Sequence, residues 1–148
     1  PHFTFQTITV TDTASVRLAV DCMGGDHGLS VTLPAVASAI ARMTDACFVL
    51  VGPETQVREA LPAGLRTHPQ IRFKNATEVV AMDDAIEVAL RRKKDSSMRI
   101  AVELVKAGEA DAAVSAGNTG ALMAMSKLAP SGPISTFCTR TSACGLVP

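Results

Sequence analysis

The chain has 148 residues, 47% hydrophobic and 19% charged, with Lys+Arg and Asp+Glu equal at 14 each. That composition suits one globular domain with a real core and excludes a disordered chain. A formal net charge of zero and an aromatic content of 3%, with no Trp and no Tyr, argue against a nucleic-acid partner, which needs a basic surplus and stacking side chains.

The elements follow in order. Pro1 to Ser15 reads as an irregular, Thr-rich leader without the basic start or apolar core of a signal peptide. The first residue is Pro rather than Met, which fits a processed, trimmed or fragment form. No apolar run reaches bilayer length, so the cytoplasm is the expected compartment. Val16 to Asp21 is a short apolar strand. Ser30 or Thr32 is expected to cap a helix to about Met43, with Pro34 tolerated in its first turn and Ala35, Val36, Ala39, Ile40 and Met43 on its apolar face. Ala46 to Val51 is a continuous apolar strand, as both covered faces of a parallel sheet require. Glu54 to Leu61 is a short helix, and Gln70 to Phe73 a third strand.

Asp83 or Asp84 is expected to cap a helix through Arg92. Asp95, Ser96 or Ser97 caps another that ends at Gly108, with Ala101, Leu104 and Val105 as its buried stripe. Asp111 to Val114 is a fourth strand and Thr119 to Leu128 a last helix. Strands alternate with helices, so the class is α/β with a parallel sheet. The usual strand order 3-2-1-4 places the first and fourth strands side by side at the switch point where ligands bind. From Ala129 to Pro148 the Pro, Gly, Ser and Thr residues show no period, and the segment reads as an irregular tail.

Two glycine turns carry the chemistry. Asp21-Cys22-Met23-Gly24-Gly25-Asp26-His27-Gly28 follows the first strand, and Ser115-Ala116-Gly117-Asn118-Thr119-Gly120 follows the fourth. Glycine lets a ligand approach the main chain, and the helix that follows offers unpaired N–H groups at its positive end. An oxyanion such as phosphate is the natural occupant. His27 can act as a general acid or base, or as a plain loop histidine. Asp21 and Asp26 can orient His27 or bind a metal, or simply form the turn.

Asn118 can donate to an oxyanion, with the hydroxyls of Ser115 and Thr119 beside it, or supply a positive φ while Thr119 caps the helix. In Arg91-Arg92-Lys93-Lys94-Asp95-Ser96-Ser97-Met98, Lys94 or a serine can reach the anion, or the cluster can serve only to cap two helices. Arg92 and Lys93 are expected to face solvent or a partner. Cys22, Cys47, Cys138 and Cys144 form no Cys-x-x-Cys pair, and no metal or cofactor is expected. Neither turn has nucleotide-loop spacing, which counts against a Rossmann-like nucleotide enzyme.

Both turns, with Ala89 to Met98 between them, resemble the amino-terminal portion of the bacterial phosphate acyltransferase (PlsX) family of fatty acid and phospholipid synthesis. The resemblance runs from about Val16 to Leu128. Leu29, Cys22 and Ile86 depart from residues common in that family. The resemblance implies a Rossmann-like α/β/α sandwich similar to phosphotransacetylase and isocitrate dehydrogenase folds. It also implies transfer of an acyl group from acyl-[acyl carrier protein] to inorganic phosphate, giving acyl phosphate. It further implies a homodimer in the cytoplasm, often peripheral to the membrane.

In that frame Gly24, Gly25, Asp26, Ser96, Ser97, Ser115, Gly117, Thr119 and Gly120 are expected to surround the phosphate. Lys94 would offset its charge. Asn118 or His27 would stabilise the tetrahedral oxyanion or protonate the leaving thiolate. The resemblance stops near Leu128, which implies a truncation or an unrelated tail and leaves an inactive phosphate-binding fragment as the other reading.

Overall fold

The computed structural model describes residues 16–128 and 138–139. The expected leader, and the expected tail apart from residues 138–139, lie outside them. The sheet is parallel throughout and its strand order is β3-β2-β1-β4-β5, from Ile71–Asn75, Ala46–Gly52, Val16–Asp21, Ala112–Ser115 and Cys138–Thr139. The expected 3-2-1-4 order is therefore present.

Alternation along the strands sorts residues between two faces. Val20, Ala46, Phe48, Leu50 and Ile71 pack with Leu33, Val36 and Ile40 of α1 (Leu29–Arg42) and Val57 of α2 (Glu54–Ala60). On the other face Ala19, Val51 and Ala113 meet Ile100, Ala101 and Leu104 of α4 (Ser97–Lys106). A third cluster joins α4 to α3 (Ile86–Arg91) and α5 (Thr119–Leu128) through Ala89, Met98, Val102, Ala121 and Leu122. Helices thus cover both faces of the sheet. Among the described residues no helix is long and apolar enough to cross a membrane.

Two helix starts differ from expectation. α1 opens at Gly28, whose φ of 46° suits glycine, and its N-cap makes no side-chain bond. The hydroxyls of Ser30 and Thr32 instead donate backward to the carbonyls of His27 and Gly28 at 2.8 and 2.9 Å. With the earlier start, Pro34 lies in the second turn, where its missing N–H leaves the Ser30 carbonyl without an i+4 donor. Ala35 is exposed, and Leu33 takes a place on the buried face. α3 begins after Ala85, not at an aspartate, because the Asp84 carboxylate is engaged by Lys93 and by the Ala81 N–H. Ser96 does cap α4, as one of the expected alternatives.

β1 is tied to the approach to β4 at its start as well as along its length. The Arg17 backbone N–H, Nε and Nη2 donate to the Asp111 carboxylate at 2.7, 3.2 and 3.0 Å. These bonds hold the Asp111 carboxyl below its ordinary value of 3.8. A carboxylate with a lowered folded pKa stabilises the fold above the unfolded value, and that contribution is lost as pH falls through the folded one. Asp111→Asn is therefore expected to be less stable than the wild type near neutral pH, with the gap closing below about pH 4. Urea midpoints across that range test this; a gap that does not change with pH would contradict it.

Candidate functional site

The register pairs Val20 with Val114, so β1 and β4 end together and their turns leave the sheet side by side. The turns are in direct contact. A Cβ placed on Gly24 would lie 2.7 Å from Asp21 Oδ2, 2.9 Å from Ser115 Oγ and 3.0 Å from the Gly117 nitrogen. One placed on Gly117 would lie 2.8 Å from Met98 Cε and 3.4 Å from Gly24 Cα. Gly25 has a φ of +87°, and a Cβ there would lie 3.0 Å from the Ala116 carbonyl oxygen. Glycine is needed in each turn so that the two main chains can approach one another.

Asp21 sits beneath this contact and is 2% exposed. Its Oδ1 accepts the Ser97 hydroxyl at 2.6 Å and the Met23 N–H at 3.2 Å. Its Oδ2 accepts the Ser115 hydroxyl at 2.7 Å, and Ser115 Oγ accepts the Gly117 N–H at 3.1 Å. Burial pushes the Asp21 carboxyl above the ordinary range, against the lowering effect of its hydrogen bonds. Asn118 closes the far side. Its Oδ1 accepts the Ala121 N–H at 3.0 Å, and its amide nitrogen donates to the Met82 and Asp84 carbonyls at 3.2 and 3.1 Å. A Cβ on Gly120 would lie 2.9 Å from Ile86 Cδ1, so the 82–86 segment lies against the start of α5.

A family model described as "Fatty acid synthesis protein" matches residues 16–137, which include both turns and everything between them. The chain belongs to this family. Its curated relatives in the family are phosphate acyltransferases. That of Alcanivorax borkumensis is 60% identical over 113 residues, covering 76% of this chain and 33% of the relative. That of Janthinobacterium sp. (strain Marseille) is 57% identical over 114 residues, covering 76% and 32%. That of Herminiimonas arsenicoxydans is 55% identical over 116 residues, again covering 76% and 32%. The match falls on the amino-terminal part of these longer proteins, and the chain spans about a third of their length. The family match also runs past Leu128 into the segment read as an irregular tail.

In this member of the fatty acid synthesis family, Gly24, Gly25, Ser97, Ser115 and Gly117 come together at the contact between the turns. Thr119 and Gly120 open α5 beside them. Ser96 is buried and accepts the Arg99 N–H at 3.4 Å as the cap of α4. Asp26, His27 and Lys94 are exposed, and their side chains have no hydrogen-bond or ion-pair partner among the described residues.

Several expected roles meet competing uses. The amide N–H groups of Asn118 point at the Met82 and Asp84 carbonyls rather than at an open site, and Asn118, not Thr119, supplies the side-chain cap of α5. The hydroxyls of Ser97 and Ser115 donate to Asp21. Asp21 neither orients His27 nor stands open to a metal. Lys93 turns inward to Asp84 and the Val79 carbonyl, instead of facing solvent. Cys22 is buried and its thiol is pushed up to about 12 by burial and the Asp21 charge, so it stays protonated and unreactive.

Sequence reasoning did not place Asp21 at the contact between the turns, although an acid closing an apolar strand just before two glycines was a visible signal. It also gave no role to Met98, whose methyl group covers Gly117. A cavity of about 280 Å³ lies elsewhere, bordered by Arg72, Lys74 and Leu104, and no residue of either glycine turn lines it.

Proposed function

We propose that this chain carries the phosphate-binding part of an enzyme that transfers an acyl group from acyl-[acyl carrier protein] to inorganic phosphate. The observation that carries the reading is the contact of two glycine turns at the β1–β4 switch point, in a chain whose relatives are phosphate acyltransferases. A phosphate oxygen attacks the thioester carbonyl, the carbon–sulfur bond breaks, and the leaving thiolate takes a proton. The protein's task is to hold the phosphate, aim it and match charge as it develops.

Main-chain N–H groups of Gly25 and Gly120 and the start of α5 form the cradle, with Gly24 turned to Asp21 beneath it, and the Lys94 ammonium offsets the anion's charge. His27, exposed and without a side-chain partner among the described residues, supplies the proton to the thiolate or a hydrogen bond to the tetrahedral oxyanion. Asn118 supports the cradle by capping α5 and gripping the 82–84 segment.

An apolar ledge supports the acyl part of the reading. Met82, Ile86 and Met123 are 47%, 46% and 55% exposed. Ile86 lies over Gly120, and Met123 is one helical turn beyond Gly120 on the same face. Apolar surface beside an anion cradle suits a substrate with a hydrocarbon chain and a reacting head. The same reading includes work as a homodimer in the cytoplasm, at the membrane periphery, where a product with an apolar tail can partition.

The test is acyl phosphate formation from acyl-[acyl carrier protein] and phosphate. The 148-residue chain is compared with the same chain joined to the carboxyl-terminal remainder of the Alcanivorax relative, and with that relative intact. Turnover by the joined chain is expected. Its failure beside an active intact relative would defeat the reading. Turnover by the short chain alone would show that the two turns suffice.

A further inference from the structure

Asp21 is a buried acid that the transfer just described leaves without a task. Its donors come from separate parts of the fold: Met23 and Gly24 in the first glycine turn, Ser97 at the start of α4 and Ser115 at the end of β4. No cation pairs with it among the described residues. A buried carboxylate without a cation is costly, so the choice of acid over amide needs a reason. The hydrogen bonds supply one. Each serine has a single hydroxyl proton, and both protons go to Asp21. Ser115 Oγ thereby keeps its lone pairs for the Gly117 N–H. An amide would instead take one of those lone pairs. The Met23 N–H needs an acceptor at Oδ1, so an Asn would place its NH₂ at the Oδ2 position, facing Ser115. The Ser115 proton would then lose its acceptor.

We propose that Asp21 is a positioning residue that fixes the second glycine turn to the first, through Ser115, at the spacing at which both turns hold one anion. The anion in this statement rests on the proposed function; the lock between the turns does not.

The test follows amide hydrogen exchange by NMR in the 148-residue chain, with inorganic phosphate as the added probe. Asp21→Asn keeps the shape and is expected to speed exchange at Gly117 about tenfold and weaken phosphate binding about tenfold, with the amides of β2 unchanged. Ser97→Ala removes a different bond to Asp21 and is expected to leave Gly117 exchange within about twofold of the wild type. Unchanged exchange at Gly117 in Asp21→Asn, or an equal rise in Ser97→Ala, overturns the lock.

A wild-type measurement covers the case in which Asp21→Asn does not fold. The Gly117 amide shift should follow the titration of the Asp21 carboxyl carbon; Cys22, at about 12, does not titrate in that range. A Gly117 amide insensitive to that titration also overturns the proposal. If the lock behaves as expected but wild-type chain binds no phosphate, the proposed function fails and the positioning role stands.

Discussion

Gly24→Ala is expected to lower the thermal midpoint by about 8 °C, a loss of about 3 kcal/mol, and to abolish phosphate binding. Steric crowding is the cause. The added methyl would lie 2.7 Å from Asp21 Oδ2, 2.9 Å from Ser115 Oγ and 3.0 Å from the Gly117 nitrogen. None of these is the free end of a flexible chain. The carboxylate is held by two serines, the Ser115 hydroxyl is held by that carboxylate, and the third atom is backbone. Relief therefore requires one glycine turn to move away from the other. Gly64→Ala is the control, since a methyl there meets nothing within 4 Å, and its effect should stay within about 0.5 kcal/mol. Calorimetry of both variants decides the matter, and a Gly24→Ala midpoint equal to that of Gly64→Ala would contradict the contact between the turns.

Asn118→Ala is expected to cost about 2 kcal/mol, or about 5 °C. The substitution removes the acceptor of the Ala121 N–H, an N-terminal donor of α5 with no helical partner of its own. It also removes the donor to the Met82 and Asp84 carbonyls, which holds the 82–84 segment against α5. Arg92→Ala, at an exposed position, should be close to neutral. In an enzyme completed with a relative's carboxyl-terminal part, Asn118→Ala should slow acyl phosphate formation far more than Arg92→Ala. A carboxylate in place of the amide restores the cap oxygen but not the donor, so Asn118→Asp should recover part of the stability and little of the grip on the 82–84 segment. Equal midpoints for Asn118→Ala and Arg92→Ala would remove Asn118 from its bridging role.

Much of the fold was legible because local signals agreed with the global arrangement. The apolar run from Ala46 needs both faces covered, and both are covered. The alternation of strands with helices gave the parallel sheet, and the glycines after Asp21 and Ser115 marked where the chain leaves it. The sequence could not show which partner a polar side chain would choose. Asp84 looks like a helix cap until Lys93 arrives from the next connection to engage it. Lys93 and Lys94 are adjacent and alike, yet only the first turns inward. Ser97 and Ser115 look like anion ligands, but Asp21 takes their protons from far along the chain. Local pattern carries propensity and periodicity, whereas these choices depend on contacts between distant segments.

That separation along the chain also bears on synthesis. Ser97 follows Asp21 by 76 residues and Ser115 follows it by 94. At ordinary ribosomal speeds the Asp21 carboxylate waits on the order of ten seconds for the last of its partners. β1, β2 and β3 are all synthesised before β4, so their pairing does not wait for it. The two glycine turns cannot meet until β4 joins the far side of β1. The contact between the two glycine turns is therefore among the last parts of this region to form on the nascent chain.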